Sequence, residues 1–537
     1  MTTVLTERTA RVRGAPFRPG RALRLEIKRS AAVWVLPVLA ALFYFNAYRT
    51  AAGYPPTWTL RALVITSSNL VFFSVIAAGI AAWVATREGR RKTGDLLATT
   101  ARAAWARQVT VLAATAFWMV LAYLAGVAVI YLQTARQATW GGPPLWPVAV
   151  GVVGVAASCA VGFACGTLLP GRFTAPIVAV AVFAAWFTGV NAANSVNPND
   201  MNDLSRVKGT SALLMPVLGR PSDVDLGVYH RVLSDVSIAQ VMFMGGVLFV
   251  MVGLLALVPA GRVPGVRELS FASGRQLTVV AAAVVACGVA ASATAFSLAG
   301  TGRYSLTTGW EIPALHDAAD DQPVPYTLDC TGSVFKGGAF TVCIHPAFAP
   351  YLGAMSAALQ PAAAEIAGLP GAPVRAEMTM GNTLPAVAGS TAVYDYSTED
   401  DGFGEESFWA TPAMARAADW EQGVQQDFIT WFVSGPAEQD SSGPTPADEA
   451  VAIALLAKIG TPVPPGYPQF SQPGTQSGGS SASNTPGASG TPPQASAAQI
   501  TAAATRLESL PSAARRAWLA ANIAGLRSGA VTLAQLP

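Results

Sequence analysis

Residues 145–168 read LWPVAVGVVGVAASCAVGFACGTL and contain no charged side chain. A helix of about 20 apolar residues crosses a bilayer core about 30 Å thick with its backbone groups satisfied internally. Six further uncharged stretches are long enough to do the same. The seven predicted spans centre on residues 31–48, 62–85, 109–132, 145–168, 174–191, 238–259 and 277–298. This pattern predicts an α-helical polytopic membrane protein with about seven transmembrane helices.

The composition agrees with a membrane protein. Of the 537 residues, 52% are hydrophobic and only 12% are charged, whereas soluble domains carry about 25% charged residues. The alternative, buried core helices of a large soluble protein, would need seven such helices within the first 300 residues. Disorder throughout is excluded, because disordered chains combine low hydrophobicity with high net charge.

The charges are distributed unevenly along the chain. Residues 1–299 carry 25 Lys and Arg against 10 Asp and Glu, whereas residues 300–537 carry 9 against 21. The basic residues concentrate in the leader before residue 31 and in the connection after residue 85. Because cytoplasmic connections are enriched in Lys and Arg, the N-terminus is predicted to be cytoplasmic. Seven spans in the plasma membrane then place the C-terminal domain outside the cytoplasm.

The chain divides into five predicted segments. A basic leader covers residues 1–30, the membrane part 31–298, a small extracytoplasmic α+β domain 300–460, a Gly/Pro/Ser-rich linker 461–496, and C-terminal helices 497–537. In the α+β domain, strands are predicted near 339–344, 374–380 and 391–396. Ser496 and Gln499 form a capping-box pattern at the start of the C-terminal helices, which are expected to dock on the outer domain or on a partner.

Two cysteines of the C-terminal part are candidates for a disulfide. Cys330 and Cys343 are separated by a stretch that holds Gly332, Gly337 and Gly338, which suits a turn. An extracytoplasmic location predicts a disulfide between them, and the alternative is two free thiols. Zinc binding is not expected, because His345 is the one histidine nearby.

The cytoplasmic connection between the second and third spans reads REGRRKTGDLLATTARAAWAR over residues 87–107. Leu96, Leu97 and Thr100 fall on one helical face after a basic start. A short helix of this kind suits docking to a cytoplasmic partner. The alternative is a basic loop that only enforces topology, and the pattern alone leaves both interpretations open.

This segment resembles the coupling loop of ABC-2 type exporter permeases, a family of ABC transporters. Glu88, Thr93-Gly94, Asp95, Leu96-Leu97, Ala98-Thr99 and Arg102 match the family pattern in order. The basic stretch 21–30 also resembles the interfacial helix of that family. Thr93-Gly94 inverts the usual order, Thr100 stands where proline is common, and the seventh span and outer domain are additions.

The resemblance implies a permease dimer, made of two copies or of two different permeases, that is driven by separate cytoplasmic ATPase subunits. Contacts with the ATPase are expected at Glu88, Asp95, Leu96, Leu97, Thr99 and Arg102. The chain has no G-x-x-x-x-G-K-[ST] loop, so ATP hydrolysis is expected from another polypeptide. Besides the lipid bilayer and the ATPase, no nucleic-acid partner and no cofactor are expected.

Polar residues inside the spans suggest a substrate path. Ser67, Ser68 and Asn69 lie a turn or two into the second span from its outer side. They are candidates for lining a path, and the alternative is that they form hydrogen bonds between helices. No ionisable residue lies well inside a span, which weakens the case for proton- or sodium-driven transport.

Enzymatic activity is not expected of the outer domain. His316, His345 and Asp329 could be assembled into a triad with a serine, but the chain has no G-x-S-x-G elbow and no H-E-x-x-H zinc helix. His345 before Pro346 is expected to cap a helix or to pack near the cysteine pair, and no metal site is expected. The alternative to transport is a membrane-anchored extracytoplasmic binding or sensing protein.

Overall fold

The computed structural model describes most of the helical part and the core of the C-terminal part. The described residues are 19–53, 56–68, 72–87, 104–194, 213, 228, 234–257, 271–299, 304–305, 309–310, 324–335, 338–378, 393–395, 417–435, 445–462 and 495–537.

Apolar helices make up the N-terminal part. In chain order they are α1 (Pro19–Arg29), α2 (Leu36–Phe43), α3 (Arg49–Gly53), α4 (Trp58–Ser68), α5 (Ser74–Ala85), α6 (Ala104–Gln137), α7 (Trp146–Leu168), α8 (Thr174–Asn194), α9 (Ser234–Leu257) and α10 (Phe271–Ala299). A 3-10 turn, Ala31–Val35, joins α1 to α2, and a π turn, Tyr44–Tyr48, joins α2 to α3.

Within the described ranges, five helical segments are long and apolar enough to cross a membrane. They are Gly20–Ala52, Trp105–Gln137, Trp146–Leu168, Ser237–Leu257 and Thr278–Leu298. The prediction of a helical polytopic membrane protein is thereby confirmed. Two predicted spans fall on shorter apolar helices, Ser74–Ala85 and Thr174–Thr188. For the second predicted span the structure describes α4 up to Ser68 and helical residues again from Phe72, and residues 69–71 lie outside the described residues.

Proline begins a helix in the first span. Pro37 occupies the first turn of α2, directly after the 3-10 turn. Its missing N–H therefore costs no hydrogen bond, since the first turn of a helix has no intrahelical acceptor for those groups. A proline inside a span is expected to kink its helix. Here the chain instead changes from 3-10 to α geometry next to Pro37.

The helices form a bundle with a buried centre and an exposed periphery. Of the most apolar 18 residues in α7, 61% are buried, whereas 17% of the corresponding residues in α10 are buried. Gly162 and Gly166 of α7 face α5 so closely that an added Cβ would lie 2.0 Å from the Ala78 carbonyl oxygen and 2.5 Å from that of Ala82. The G-x-x-x-G pattern is thus a packing face within the chain. Glycine contacts also join α10 to α9, where a Cβ on Gly288 would meet the Gly246 carbonyl oxygen at 2.6 Å.

The C-terminal part contains a small mixed sheet. Its strands are β1 (Tyr304–Ser305), β2 (Gly309–Trp310), β3 (Asp329–Phe335), β4 (Gly338–Ile344), β5 (Arg375–Glu377) and β6 (Val393–Asp395). The first two pair with each other, and the other four form a sheet in the order β3-β4-β5-β6. The β3–β4 pair is antiparallel, whereas β5 joins β4 and β6 in parallel register. Strands β4, β5 and β6 lie where the sequence predicts strands.

Helices cover this sheet and share one core with it. They are α11 (Leu352–Ile366), α12 (Ala417–Ser434), α13 (Pro446–Lys458), α14 (Ala497–Ser509) and α15 (Ser512–Arg527). Phe348, Phe428 and Phe432 are among the largest fully buried side chains of the structure. The residues buried here include members of α14 and α15, so the C-terminal helices belong to the same core as the sheet.

Arginines fasten the C-terminal helices to the rest of this part. The guanidinium of Arg515, which is 4% exposed, is 2.8 Å from the Glu365 carboxylate. Arg516 donates to the Glu365 and Ala367 carbonyl oxygens at the end of α11. Arg527 donates to the Phe432 carbonyl oxygen at 2.7 Å. The predicted capping box of Ser496 and Gln499 is present, and helices α14 and α15 pack on the core of the sheet domain.

Candidate functional site

The residues predicted to contact an ATPase lie outside the described residues. Glu88, Asp95, Leu96, Leu97, Thr99 and Arg102 all fall in the segment 88–103. Its flanks are described: α5 ends at Ala85, and α6 begins at Ala104. Helix α6 has 34 residues and is therefore about 50 Å long at 1.5 Å per residue. The loop is thus attached to the far end of α6 from Gln137.

The structure describes part of the candidate substrate path. Ser68 is 5% exposed, and its hydroxyl donates to the Ile65 carbonyl oxygen of its own helix at 2.6 Å. Ser67 lies in the same helix α4, and Asn69 lies outside the described residues. The Ser68 hydroxyl therefore forms a hydrogen bond within its own helix, and the substrate path stays a prediction.

The predicted disulfide between Cys330 and Cys343 is present. The two cysteines are directly opposite partners in the antiparallel β3–β4 register, with Cα atoms 4.1 Å apart. Cys343 is fully buried, whereas Cys330 is exposed. The bond therefore ties the exposed edge strand of the sheet to a strand in its core.

The turn that follows β4 is the part of the sheet domain that meets the helical bundle. It consists of His345 and the 3-10 helix Pro346–Tyr351, and is called the docking turn below. The His345 Nδ1 accepts a hydrogen bond from the Ala347 backbone N–H at 3.1 Å. This is an N-cap, because it satisfies a donor that has no partner inside the helix. The prediction that His345 caps a helix is confirmed.

Aromatic rings enclose His345, which is 0% exposed. Its ring centroid lies 4.4 Å from that of Tyr326, 5.4 Å from that of Trp140 and 6.4 Å from that of Phe348. Burial lowers the pKa of His345 to about 4, because a charged imidazolium is poorly solvated there. The ring is therefore neutral at physiological pH, with Nδ1 as acceptor.

Among the described residues, two connections of the helical bundle and one residue of α4 lie close to the sheet domain. In the connection between α6 and α7, Thr139 donates to the Pro346 carbonyl oxygen at 2.5 Å, and Trp140 packs on the sheet domain's core. Val228, from the connection between α8 and α9, is buried in the same core. Arg61, near the start of α4, interacts electrostatically with Tyr351 of the docking turn.

Arg61 is itself held in place by α6. It is 2% exposed, and its guanidinium donates to the Thr134 hydroxyl at 3.3 Å and to the Gln137 side-chain oxygen at 2.7 Å. For Tyr351, burial raises the pKa, and the nearby Arg61 cation opposes that shift. The start of α4 and the end of α6, joined through Arg61, therefore lie close to the docking turn.

This contact was not predicted from the sequence. In the sequence, Arg61 is an isolated basic residue between two predicted spans. Trp140 belongs to a short connection with no motif. A signal does exist, because an isolated arginine at the end of an apolar stretch needs hydrogen-bond partners when buried. That signal does not identify the partner.

The comparisons with known proteins give no relative: no protein-family model, curated protein or solved structure matches this chain. Among the residues that the structure describes, no group of three or more His, Cys, Asp or Glu could hold a metal ion.

Proposed function

We propose that this chain is the permease subunit of an ATP-driven ABC-type transporter, most consistent with export. It would couple to a separate ATPase through residues 86–108. One observation carries the proposal: the segment that resembles the coupling loop joins α5 to α6 at the ends remote from the docking turn. A loop in that position can receive a cytoplasmic subunit while the outer domain works on the other side of the membrane.

The proposal includes seven membrane crossings. Trp140 and the docking turn are in contact, so the connection before α7 and the domain after α10 lie on one side of the membrane. An even number of crossings returns a chain to the same side, and four helices, α7 to α10, lie between these points. This parity supports a crossing by α8 despite its short apolar part.

The same argument applies to the second span. Arg61 bonds to Thr134 and Gln137 at the end of α6, next to Trp140, and therefore shares a side with it. Helix α6 crosses between them, so the pair α4 and α5 has to provide a second crossing. With the first span, the number of crossings becomes seven, and the N-terminus lies opposite the outer domain.

The orientation is proposed from charge and from cysteine chemistry. The basic leader and the basic loop 86–108 lie on the side opposite the docking turn, which favours the cytoplasm for that side. A disulfide between Cys330 and Cys343 suits an oxidising extracytoplasmic compartment. The two criteria are independent, and both support an outer domain outside the cell.

The ATPase contact can be tested in a co-purified complex. We expect Leu97→Asp to reduce the amount of ATPase that co-purifies at least tenfold, because a carboxylate would replace an apolar contact. Glu88→Ala should lower the ATP hydrolysis rate of any complex that remains. Both quantities can be measured on membranes solubilised in mild detergent.

Arg172→Ala provides the matched control. Arg172 is exposed in the connection between α7 and α8, on the same proposed side as the loop. Its substitution should leave ATPase recovery unchanged. The coupling proposal fails if no ATPase co-purifies with the unmodified chain, or if the loop and control variants behave alike.

A second candidate is a membrane-anchored binding or sensing protein. It is favoured by the size of the sheet domain's own core, which contains many buried residues apart from those of the bundle. Ligand binding by the outer domain with no dependence on an ATPase would support it.

A further inference from the structure

Helix α1 presents a basic face to its surroundings. Arg21, Arg24, Lys28 and Arg29 are all exposed. Their spacing of three, seven and eight residues from Arg21 places them on one side of the helix. Within the described part of the chain, none of these four cations has an ion pair. The face therefore concentrates four positive charges, and the one acidic residue of α1 is the half-buried Glu26.

Contacts with α6 fix which way this face points. The remaining face of α1 is less exposed: Ala22 is 6% exposed, and Leu23, Glu26 and Ile27 are half-buried. The Trp118 indole N–H of α6 donates to the Ile27 carbonyl oxygen at 2.8 Å. These contacts hold α1 against the bundle, and its basic face is thereby turned outward.

The end of α1 lies next to the first membrane span. Ser30 leaves the helical conformation, with φ −63° and ψ 129°, and its hydroxyl accepts from the Ala32 N–H at 3.3 Å. Trp34 follows within one turn and is 84% exposed, and Leu25 of α1 is 49% exposed. Exposed tryptophan is typical of the boundary between hydrocarbon and headgroups. The basic face therefore lies at headgroup depth.

We propose that this face of α1 binds the headgroups of anionic phospholipids. Cationic side chains beside apolar anchors are the composition of interfacial helices that recognise anionic lipid. The exposed Leu25 and Trp34 favour lipid over a protein partner, because they bury into acyl chains. This inference does not depend on transport or on the ATPase.

The test compares lipid retention by the full-length protein. Native mass spectrometry after exchange into micelles that contain phosphatidylglycerol and phosphatidylcholine reports which lipid is bound. Each basic residue near an anionic surface favours binding roughly fivefold. The triple variant Arg21→Gln, Arg24→Gln and Lys28→Gln should therefore lose the phosphatidylglycerol preference by about 100-fold.

A second triple variant controls for the removal of charge alone. Arg49→Gln, Arg136→Gln and Arg172→Gln removes three exposed cations elsewhere and should keep the preference. Replacement of Arg21 and Arg24 by Lys should also keep it. Inorganic phosphate at millimolar concentration should not displace the lipid, because it lacks acyl chains.

Three results would overturn the inference. Equal loss in the two triple variants would mean a non-specific charge effect. Displacement by inorganic phosphate would mean a site for a soluble anion. Unchanged lipid retention together with loss of a co-purifying subunit in the α1 variant would make the face a protein contact.

Discussion

At the residue scale, His345 shows how one side chain joins two parts of the molecule. Its Nδ1 caps the docking turn, and its ring packs on Trp140 of the helical bundle. Both roles require the neutral ring, because protonation of Nδ1 would remove the acceptor and place a charge among aromatic rings. The sequence predicts the cap from the His-Pro order, but the ring contact depends on the fold.

His345 predicts a dependence of stability on pH. Its pKa is lowered to about 4 in the folded protein, against about 6.5 in an unfolded chain. Between these values the unfolded state binds more protons, so the free energy of unfolding falls as the pH falls from about 6.5 to 4. The full loss is about 3 kcal/mol. Thermal unfolding of the purified protein across this range measures it.

His345→Asn is the matched variant for this prediction. Asparagine is a good N-cap acceptor and does not titrate. The variant should fold at neutral pH, with some loss of ring packing, and show a smaller decrease in stability between pH 6.5 and 4. An identical pH profile in the two proteins would assign the effect to other groups.

At the element scale, the packing of α5 on α7 depends on glycine. The backbones approach so closely at Gly162 and Gly166 that a methyl group would meet carbonyl oxygens of α5. Small residues permit such contacts in membranes, where van der Waals packing drives helix association. The sequence does not identify the partner of this face, since a G-x-x-x-G pattern such as Gly162 and Gly166 describes one helix only.

Gly162→Ala is expected to destabilise the bundle by about 1–3 kcal/mol, because the helices would have to move apart. Gly245→Ala is the control, since a Cβ at this helical glycine of α9 has nothing within 4 Å. It should be neutral or slightly stabilising. Unfolding temperatures in detergent compare the two, and equal shifts would contradict the packing argument.

At the scale of the whole molecule, the docking turn joins the sheet domain to the connection between α6 and α7 through Thr139 and Trp140. If the proposed transport function holds, a movement of the helices would reach the sheet domain through this contact. In the proposed topology, α10 returns the chain to the side on which the docking turn lies.

A cross-link between Thr139→Cys and Pro346→Cys should lock this contact. The Thr139 hydroxyl lies 2.5 Å from the Pro346 carbonyl oxygen, so a short bis-methanethiosulfonate, which forms a disulfide with each thiol and releases sulfinate, can join cysteines at these positions. If the chain is the proposed permease and the sheet domain moves with the bundle, the cross-linked protein should stimulate its ATPase several-fold less than the unmodified complex.

Single-cysteine variants treated with the same reagent serve as controls and should keep full ATPase stimulation. Failure of the pair to cross-link in membranes would contradict the docking itself. Efficient cross-linking with unchanged ATPase stimulation would show that docking is static during the cycle.

The sequence by itself determined the features that are stabilised by interactions within a short stretch of chain. Membrane insertion is summed over a window of about 20 residues, so the apolar stretches and their basic flanks can be recognised without a fold. The capping box at Ser496 and the cysteine pair around a glycine-rich turn are similarly short-range. Their predictions are confirmed for the same reason.

Tertiary structure alone decided the contacts between distant segments. Thr139 and Pro346 are 207 residues apart, and no local pattern relates them. The hydrogen bonds of Arg61 to Thr134 and Gln137 were also hidden, because an arginine at the edge of an apolar stretch gives no sign of which helix it contacts. Such contacts depend on which surfaces meet in three dimensions. A short stretch of sequence contains only one of the two surfaces and therefore cannot predict the contact.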